Sequence, residues 1–239
     1  AYNIKILEIA GFEADDVIGT VAKQAEKEDM DVYMMTPDKD YGQLTSERIF
    51  MYKPKFAGNG FDILDSKAIM EKYNLSSPLL MIDLLGLMGD ASDNIPGCPG
   101  VGAKTAEKLI SDYGIIENIL ENTSKIKGTL KDKLETNKEQ ILFSKFLATI
   151  KIDVPFDFKK EEFERKPIDE EKIENRFEEL EFRTLINRVL KRETKAAPKK
   201  DEAQGNLFAE FTDNQPEEKK YSNLNELNDM VYSCLLYTS

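Results

Sequence analysis

Gly89 to Lys108 read GDASDNIPGCPGVGAKTAEK, and this stretch decides the architecture. Two carboxylates, Asp90 and Asp93, open it, and carboxylates suit a hard cation. Pro96, Gly97, Pro99, Gly100 and Gly102 follow almost back to back. Glycines let backbone N–H groups approach a phosphate closely, and a helix entered at about Ala103 sets its N-terminus behind them. A P-loop is excluded, because Ala103 stands where glycine must precede Lys104 and Thr105. A dinucleotide fingerprint is excluded as well, since Thr105 occupies the third glycine position after Gly102. What remains is a helix–hairpin–helix: one helix from about Pro78 to Met88, a Pro/Gly turn, and a second helix from about Ala103 to Tyr113. Such an element would hold a nucleic-acid backbone through amides, and so without reading sequence. The plain alternative is a turn between two core helices. Asp90 and Asp93 beside it weigh against that, because a metal site joined to a phosphate grip suggests chemistry on a nucleic-acid backbone.

Composition narrows the classes. The chain has 239 residues, 41% of them hydrophobic, enough for one good domain and a tail. The net charge of −12 is the wrong sign for holding DNA by bulk electrostatics, so any grip is local or metal-mediated. The absence of histidine rules out His-based acid–base catalysis and His-ligated zinc. Cys98 and Cys234 have no metal spacing and fit a reducing cytosol. The best apolar run, Leu79 to Leu87, is interrupted by Asp83, so no membrane span is expected, and no signal peptide is visible.

Upstream of the hairpin the pattern is α/β. Ile4 to Ile9 read as a short strand. Gly11 to Glu28 read as a helix with Val17, Ile18, Val21, Ala22 and Ala25 inward. Asp31 to Thr36 read as a buried strand and Arg48 to Tyr52 as another, which together suggest a parallel sheet. Acidic residues follow the strands: Glu13, Asp15 and Asp16 after the first, Asp38 and Asp40 after the second. In an open α/β sheet those are the carboxyl ends, where ligands bind. Asp38 and Asp40, two apart in an extended turn, can face one side, and Glu13 and Asp16 share one face of a first helical turn. Singly, each cluster also reads as a helix-dipole complement or a turn former. Together with Asp90 and Asp93 they make seven carboxylates on one rim, a charge conflict that divalent cations remove. All-oxygen ligation indicates Mg²⁺ or Mn²⁺. Two ions would give the clamp suited to in-line displacement at phosphorus.

Beyond Tyr113 the chain reads as mainly helical. Leu130, Leu134, Ile141, Leu142 and Ile150 suggest one long amphipathic helix, Ile152 to Phe158 an extended segment, and Lys172 to Phe182 and Phe182 to Leu190 two further helices. From Lys191 to Lys220 charged and polar residues dominate, as in a disordered linker. Within it Gln204, Leu207 and Phe208 form a Gln-x-x-Leu-Phe pattern that resembles the peptide by which bacterial proteins dock on the sliding clamp; a chance cluster in a tether is the equal alternative.

GFEADDVIGTVA, TPDKDYGQL and LMGDASDNIPGCPGVGAKTA together resemble the 5′-nuclease domains of bacterial DNA polymerases I, within the flap endonuclease family. The resemblance covers about Ile4 to Leu190. It implies a three-layer α/β nuclease core (residues 1–75), a helix–hairpin–helix region with further helices (76–190), a linker (191–220), and from 221 the start of a 3′–5′ exonuclease-like domain ahead of a polymerase. It implies metal-dependent hydrolysis of DNA at 5′ ends and flaps, including removal of RNA primers. Family metal ligands map to Glu13, Asp15, Asp16, Asp38, Asp40, Asp90 and Asp93. The family's duplex-binding hairpin, with its bound K⁺, maps to Gly97 through Thr105, with Gly97, Gly100, Val101, Gly102, Lys104 and Thr105 as the DNA-binding residues. A monomer acting in the bacterial cytoplasm beside the nucleoid is implied too. Family members also carry an N-terminal strand with a further aspartate and a basic arch, neither of which precedes Ala1, so impaired cleavage is expected of this piece. Two other readings stand beside the nuclease. One is a non-catalytic helix–hairpin–helix module; the other is a related metal-dependent ribonuclease, against which the glycine-rich hairpin argues.

Overall fold

The computed structural model describes residues 1–55 and 60–190. These fall into two units: residues 7–159, and residues 1–6 together with 160–190. The Gln204, Leu207, Phe208 pattern, the linker and everything from 221 lie outside the described residues.

In the larger unit, helix α1 spans Ala14–Lys27 and buries Val17, Gly19, Thr20, Ala22 and Ala25. No proline interrupts it, Asp15 and Asp16 in the first turn complement its dipole, and the chain turns away at Asp29, whose φ is 59°. Strand β1 is Val32–Met35, β2 is Ile49–Pro54 and β3 is Phe61–Leu64, in the order β1-β2-β3. The first pair is parallel, with Val32 opposite Ile49; the second is antiparallel, with Met51 opposite Leu64. The sheet is therefore mixed, a hairpin having been added to a parallel pair. Ile49 and Met51 point into the core, while on the opposite pleat Phe50 stacks on Tyr33 and Tyr52 on Phe61. Helix α2, Ser66–Tyr73, starts where the Asp65 carboxylate accepts from Ala68 N at 2.7 Å, and ends at Asn74 in the left-handed region. Ala22, Met34, Tyr41, Leu44, Ile49, Met51, Ile69 and Ile150 form the core of this part.

Helices dominate the rest of this unit: α3 (Leu80–Met88), α4 (Ala103–Tyr113), α5 (Ile116–Glu121), α6 (Thr129–Thr136) and α7 (Lys138–Ala148). Their shared core includes Met81, Leu84, Leu85, Leu87, Ile116, Ile119, Leu134 and Ile141. Asp83 is buried among them, held by Lys145 Nζ at 2.7 Å and by Ile116 N at 2.9 Å; Lys145 also reaches Glu117 at 2.7 Å. Both contacts are made to Asp83 Oδ1, where a backbone donor and a partner ammonium offset the cost of burying the carboxylate.

The smaller unit holds α8 (Lys160–Phe163), α9 (Glu170–Glu179) and α10 (Arg183–Val189). Lys5 pairs with Glu162 at 2.7 Å, and Asp169 N donates to Ala1 O at 2.8 Å.

Three expectations are corrected. Residues 4–9 form no strand: Lys5 alone makes an isolated bridge, and the segment joins no ladder of the sheet among the described residues; Ile6 is exposed. β1 is an edge strand rather than a buried one: Met34 alone is buried, with Tyr33 and Met35 exposed. The long amphipathic helix is two helices, α6 and α7, divided at Asn137, whose side-chain amide donates to Lys133 O at 2.7 Å; Ile150 lies past the end of α7.

Candidate metal centre and hairpin

The chain leaves β1 through Pro37 and enters a 3-10 helix, Lys39–Leu44. Asp38 is its N-cap and accepts from Asp40 N at 3.1 Å, so the expected extended turn is a helical one. The 3-10 helix turns Asp40 inward and leaves Asp38 exposed. Gln43 locks this geometry. Its amide donates to Asp40 O at 3.0 Å and Ala148 O at 2.9 Å, and its carbonyl accepts from Ile150 N at 3.0 Å. A buried amide with three partners, one of them 107 residues away, fixes the turn against the end of α7.

Asp90 and Asp93 arrive from the other side. Asp90 and Ile95 exchange both backbone hydrogen bonds, at 2.9 and 2.8 Å, closing a loop that carries Asp93. Gly89 and Gly97 make this possible. Their φ angles are +75° and +61°, and a Cβ on Gly97 would sit 2.7 Å from Gly89 Cα. Carboxylate oxygens of Asp40, Asp90 and Asp93 consequently lie within 4.8 Å of one another. Asp40 and Asp90 are buried and Asp93 is exposed.

The electrostatics follow from this crowding. Burial and the charges of Asp38, Asp90 and Asp93 push Asp40 up to about 7, Lys39 only partly offsetting them. Burial and the charges of Asp38 and Asp90 also raise Asp93. Asp90 goes the other way: burial alone would raise it, but the Lys39 ammonium and Ser92 N–H hold it below the ordinary range. One oxygen of Asp90 accepts from Ser92 N at 2.9 Å and the other pairs with Lys39 Nζ. Asp40 Oδ1 is buried with no hydrogen-bond partner, alone among the buried side-chain polar atoms of the described residues. An oxygen-only donor set with an orphaned buried carboxylate oxygen fits a hard cation.

The remaining acids form a second group. Glu13 is the N-cap residue of α1 and exposed. Burial, together with the charges of Asp16 and Glu13, raises Asp15 against the hydrogen bond from Asp16 N. Asp16 Oδ1 accepts from Lys151 N at 2.8 Å, a tie of the fold itself. Among the described residues no single cluster at ligand distance joins this group to Asp40, Asp90 and Asp93. Tyr41 feels the charge of both groups: burial raises its pKa, and the charges of Asp15, Asp38, Asp16 and Asp40 raise it further. The sequence pattern named the acids but missed Gln43, Lys39 and Tyr41; their place in the short run from Asp38 to Leu44 was the available signal.

The hairpin divides the expected DNA-binding residues. Gly97 and Val101 are buried and their backbones are engaged: Gly97 N donates to Ser144 Oγ at 3.0 Å, Gly97 O accepts from Gln140 at 2.8 Å, and Val101 N donates to Cys98 O at 3.0 Å. They shape the turn rather than offer donors. Gly100, Gly102 and Lys104 are exposed and Thr105 half-buried. α4 starts at Gly102 with no side-chain cap, and the space where a Cβ of Gly102 would stand is open.

Two family models match the chain, 5′-3′ exonuclease, N-terminal resolvase-like domain over residues 1–74 and 5′-3′ exonuclease, C-terminal SAM fold over residues 76–171. DNA polymerase I of Bacillus caldotenax and that of Bacillus subtilis are each 40% identical over 190 residues, 79% of this chain. The chain spans 22% of the length of those relatives. Among solved structures, the T5 5′-exonuclease with divalent metal ions (zinc) bound aligns with TM-score 0.53 and 24% identity, over 59% of this chain and 51% of that one. The bacteriophage T5 flap endonuclease in a pseudo-enzyme-product complex with DNA and metal ions aligns with TM-score 0.52 and 23% identity, over 59% and 51% of the two chains. These structural likenesses bear on the fold.

Proposed function

The chain belongs to the 5′-3′ exonuclease family, and we propose that it hydrolyses DNA phosphodiesters at 5′ ends and flaps as the 5′-nuclease part of a DNA polymerase I, including RNA primer removal and nick translation. The observation that carries this reading is the meeting of Asp40, Asp90 and Asp93 at ligand distance around the unpartnered Asp40 Oδ1. Asp40, Asp90 and Asp93 would hold one divalent cation, with Asp38 beside them; Glu13, Asp15 and Asp16 would serve a second. Mg²⁺ or Mn²⁺ suits the donor set. Such cations supply charge neutralisation at the phosphodiester and a more acidic attacking water. The protein's own work is positional. Gln43 sets Asp40, the Asp90–Ile95 bridge sets Asp93, and no side chain of the site acts as nucleophile.

Duplex DNA would lie along Gly100, Gly102, Lys104 and Thr105, with a phosphate at the uncapped N-terminus of α4. K⁺ at this hairpin rests on the family resemblance. A monomer working in the cytoplasm beside the nucleoid goes with the reading, and no helix among the described residues is long and apolar enough to cross a membrane. The test is a Mg²⁺-dependent assay on a 5′-flap substrate with wild type and the double variant D40N/D90N. Cleavage should vanish in the variant while duplex binding remains. Mg²⁺-independent products would overturn the metal-centre reading, and a wild type that binds duplex and never cuts it would replace the nuclease reading with the non-catalytic binding module.

A further inference from the structure

Lys39 stands between two candidate ligands, Asp38 and Asp40, yet its ammonium crosses the pocket to a third, Asp90. Asp90 has two carboxylate oxygens. Oδ1 accepts from Ser92 N at 2.9 Å, which leaves Oδ2 as the oxygen not bonded to the backbone of its own loop. Lys39 Nζ already pairs with that oxygen. The charges of Asp40 and Asp38 bear on the same ammonium. Among the described residues this is the single ion pair made by the cluster of Asp38, Asp40, Asp90 and Asp93. Asp40 Oδ1, by contrast, has nothing. The pocket therefore holds one built-in positive charge, placed on the ligand that a divalent cation also needs. A metal bonded through Asp90 Oδ2 and an ammonium hydrogen-bonded to it cannot share that oxygen at full strength.

We propose that Lys39 is an intramolecular counter-ion which a divalent cation must displace from Asp90, so that metal entry is an exchange of one cation for another. This rests on the metal-centre reading above. In the metal-free protein Lys39 keeps the buried carboxylates together, at the expense of apparent metal affinity. On metal entry its amino group is released from Asp90 and becomes accessible. Removing the competitor, and with it a positive charge within a few ångströms, strengthens metal binding.

Mn²⁺ binding, read from the loss of the free-ion electron paramagnetic resonance signal, tests this on wild type, Lys39→Met, Lys39→Arg and Asp90→Asn. K39M should bind Mn²⁺ about tenfold more tightly than wild type, a change of ~1.4 kcal/mol. K39R, which keeps the charge, should gain nothing. D90N should bind more weakly. A supporting contact alone would give the opposite sign for K39M, because a collapsed pocket loses metal. In parallel, acetylation of Lys39 in the wild type, followed by mass spectrometry, should quicken several-fold when Mn²⁺ is added; this readout decides the matter should K39M fail to fold. If wild type binds no Mn²⁺, or D90N binds it equally well, the metal-centre reading falls and this inference with it. If both behave as expected while K39M is no tighter and Lys39 labelling ignores Mn²⁺, the exchange alone is overturned.

Discussion

Asp40→Asn should stabilise the metal-free protein at alkaline pH while destroying the candidate site. Burial and three neighbouring carboxylates move Asp40 from the ordinary 3.8 to about 7. Each pH unit of such a difference is worth ~1.36 kcal/mol, so the ionised carboxylate costs the folded protein ~4 kcal/mol relative to the unfolded chain. The sign follows from proton binding. The folded state holds this proton more tightly than the unfolded state, so stability falls as pH climbs from about 4 to about 7. Above about 7 the full penalty is present. Asparagine is neutral throughout and escapes it.

Site relaxation and water entry should halve the figure, leaving a gain of ~2 kcal/mol at pH 8. For a domain of this size that is roughly 4–8 °C in Tm. Thermal melts in EDTA at pH 5 and pH 8 measure it. At pH 5 the wild-type carboxyl is already protonated in the folded state, and the two proteins should differ by only ~1–2 °C. Adding Mn²⁺ at pH 8 should raise wild-type Tm and leave the variant almost unmoved. A lower Tm for the variant at pH 8, or the same gain at both pH values, would refute the reasoning, because either would mean that Asp40 is not a destabilised buried charge.

Gly97→Ala should cost about 3 kcal/mol or more, because its φ of +61° and a Cβ placed 2.7 Å from Gly89 Cα leave only backbone to move; urea denaturation checks it. Gly102→Ala should leave stability within ~0.5 kcal/mol, since its φ of −97° and the open space suit any residue, yet weaken duplex binding about fivefold by crowding a phosphate, as read by fluorescence anisotropy. Lys145→Met should cost ~3 kcal/mol by stranding buried Asp83, and adding Asp83→Asn should recover most of it in a double-mutant cycle.

Local chemistry was legible in the sequence where neighbours along the chain decide the outcome. α4 occupies Ala103–Tyr113, as its apolar spacing and the glycine before it indicate. The Pro/Gly turn between α3 and α4 is read from residue types alone. Distant partners hid the rest. Ile4 to Ile9 has the composition of a strand, yet among the described residues it pairs only through a single bridge at Lys5. The apolar period runs smoothly through Asn137, and the break there shows only in its backbone, φ −106° and ψ 20°, and in its side-chain bond to Lys133 O. Phe61–Leu64 is too short to stand out, and its register comes from β2. Of the seven acids, the three that share one pocket come from segments some fifty residues apart, and no pattern in the sequence says that Asp16 is partly committed to Lys151.

One consequence of that assembly concerns where a strand would be cut. The Asp90–Ile95 bridge fixes Asp90 and Asp93 to the start of the hairpin, and Gly89 touches Gly97 with no side chain between them. Gly97 is held by Ser144 and Gln140 on α7, and the end of α7 is tied to Gln43 and so to Asp40. The carboxylates and the turn that leads into α4 are thus joined by one run of buried and partly buried hydrogen bonds. A duplex gripped at Gly102 would meet the acids at a set offset, so cleavage position would be measured from the grip and not from base sequence. Gln43→Ala breaks this run at its middle. It should broaden the positions cut on a 5′-flap substrate, as resolved on a sequencing gel, more than it weakens duplex binding. A variant that loses rate while keeping one sharp product would show that Gln43 sets the acids alone and that the offset is fixed elsewhere.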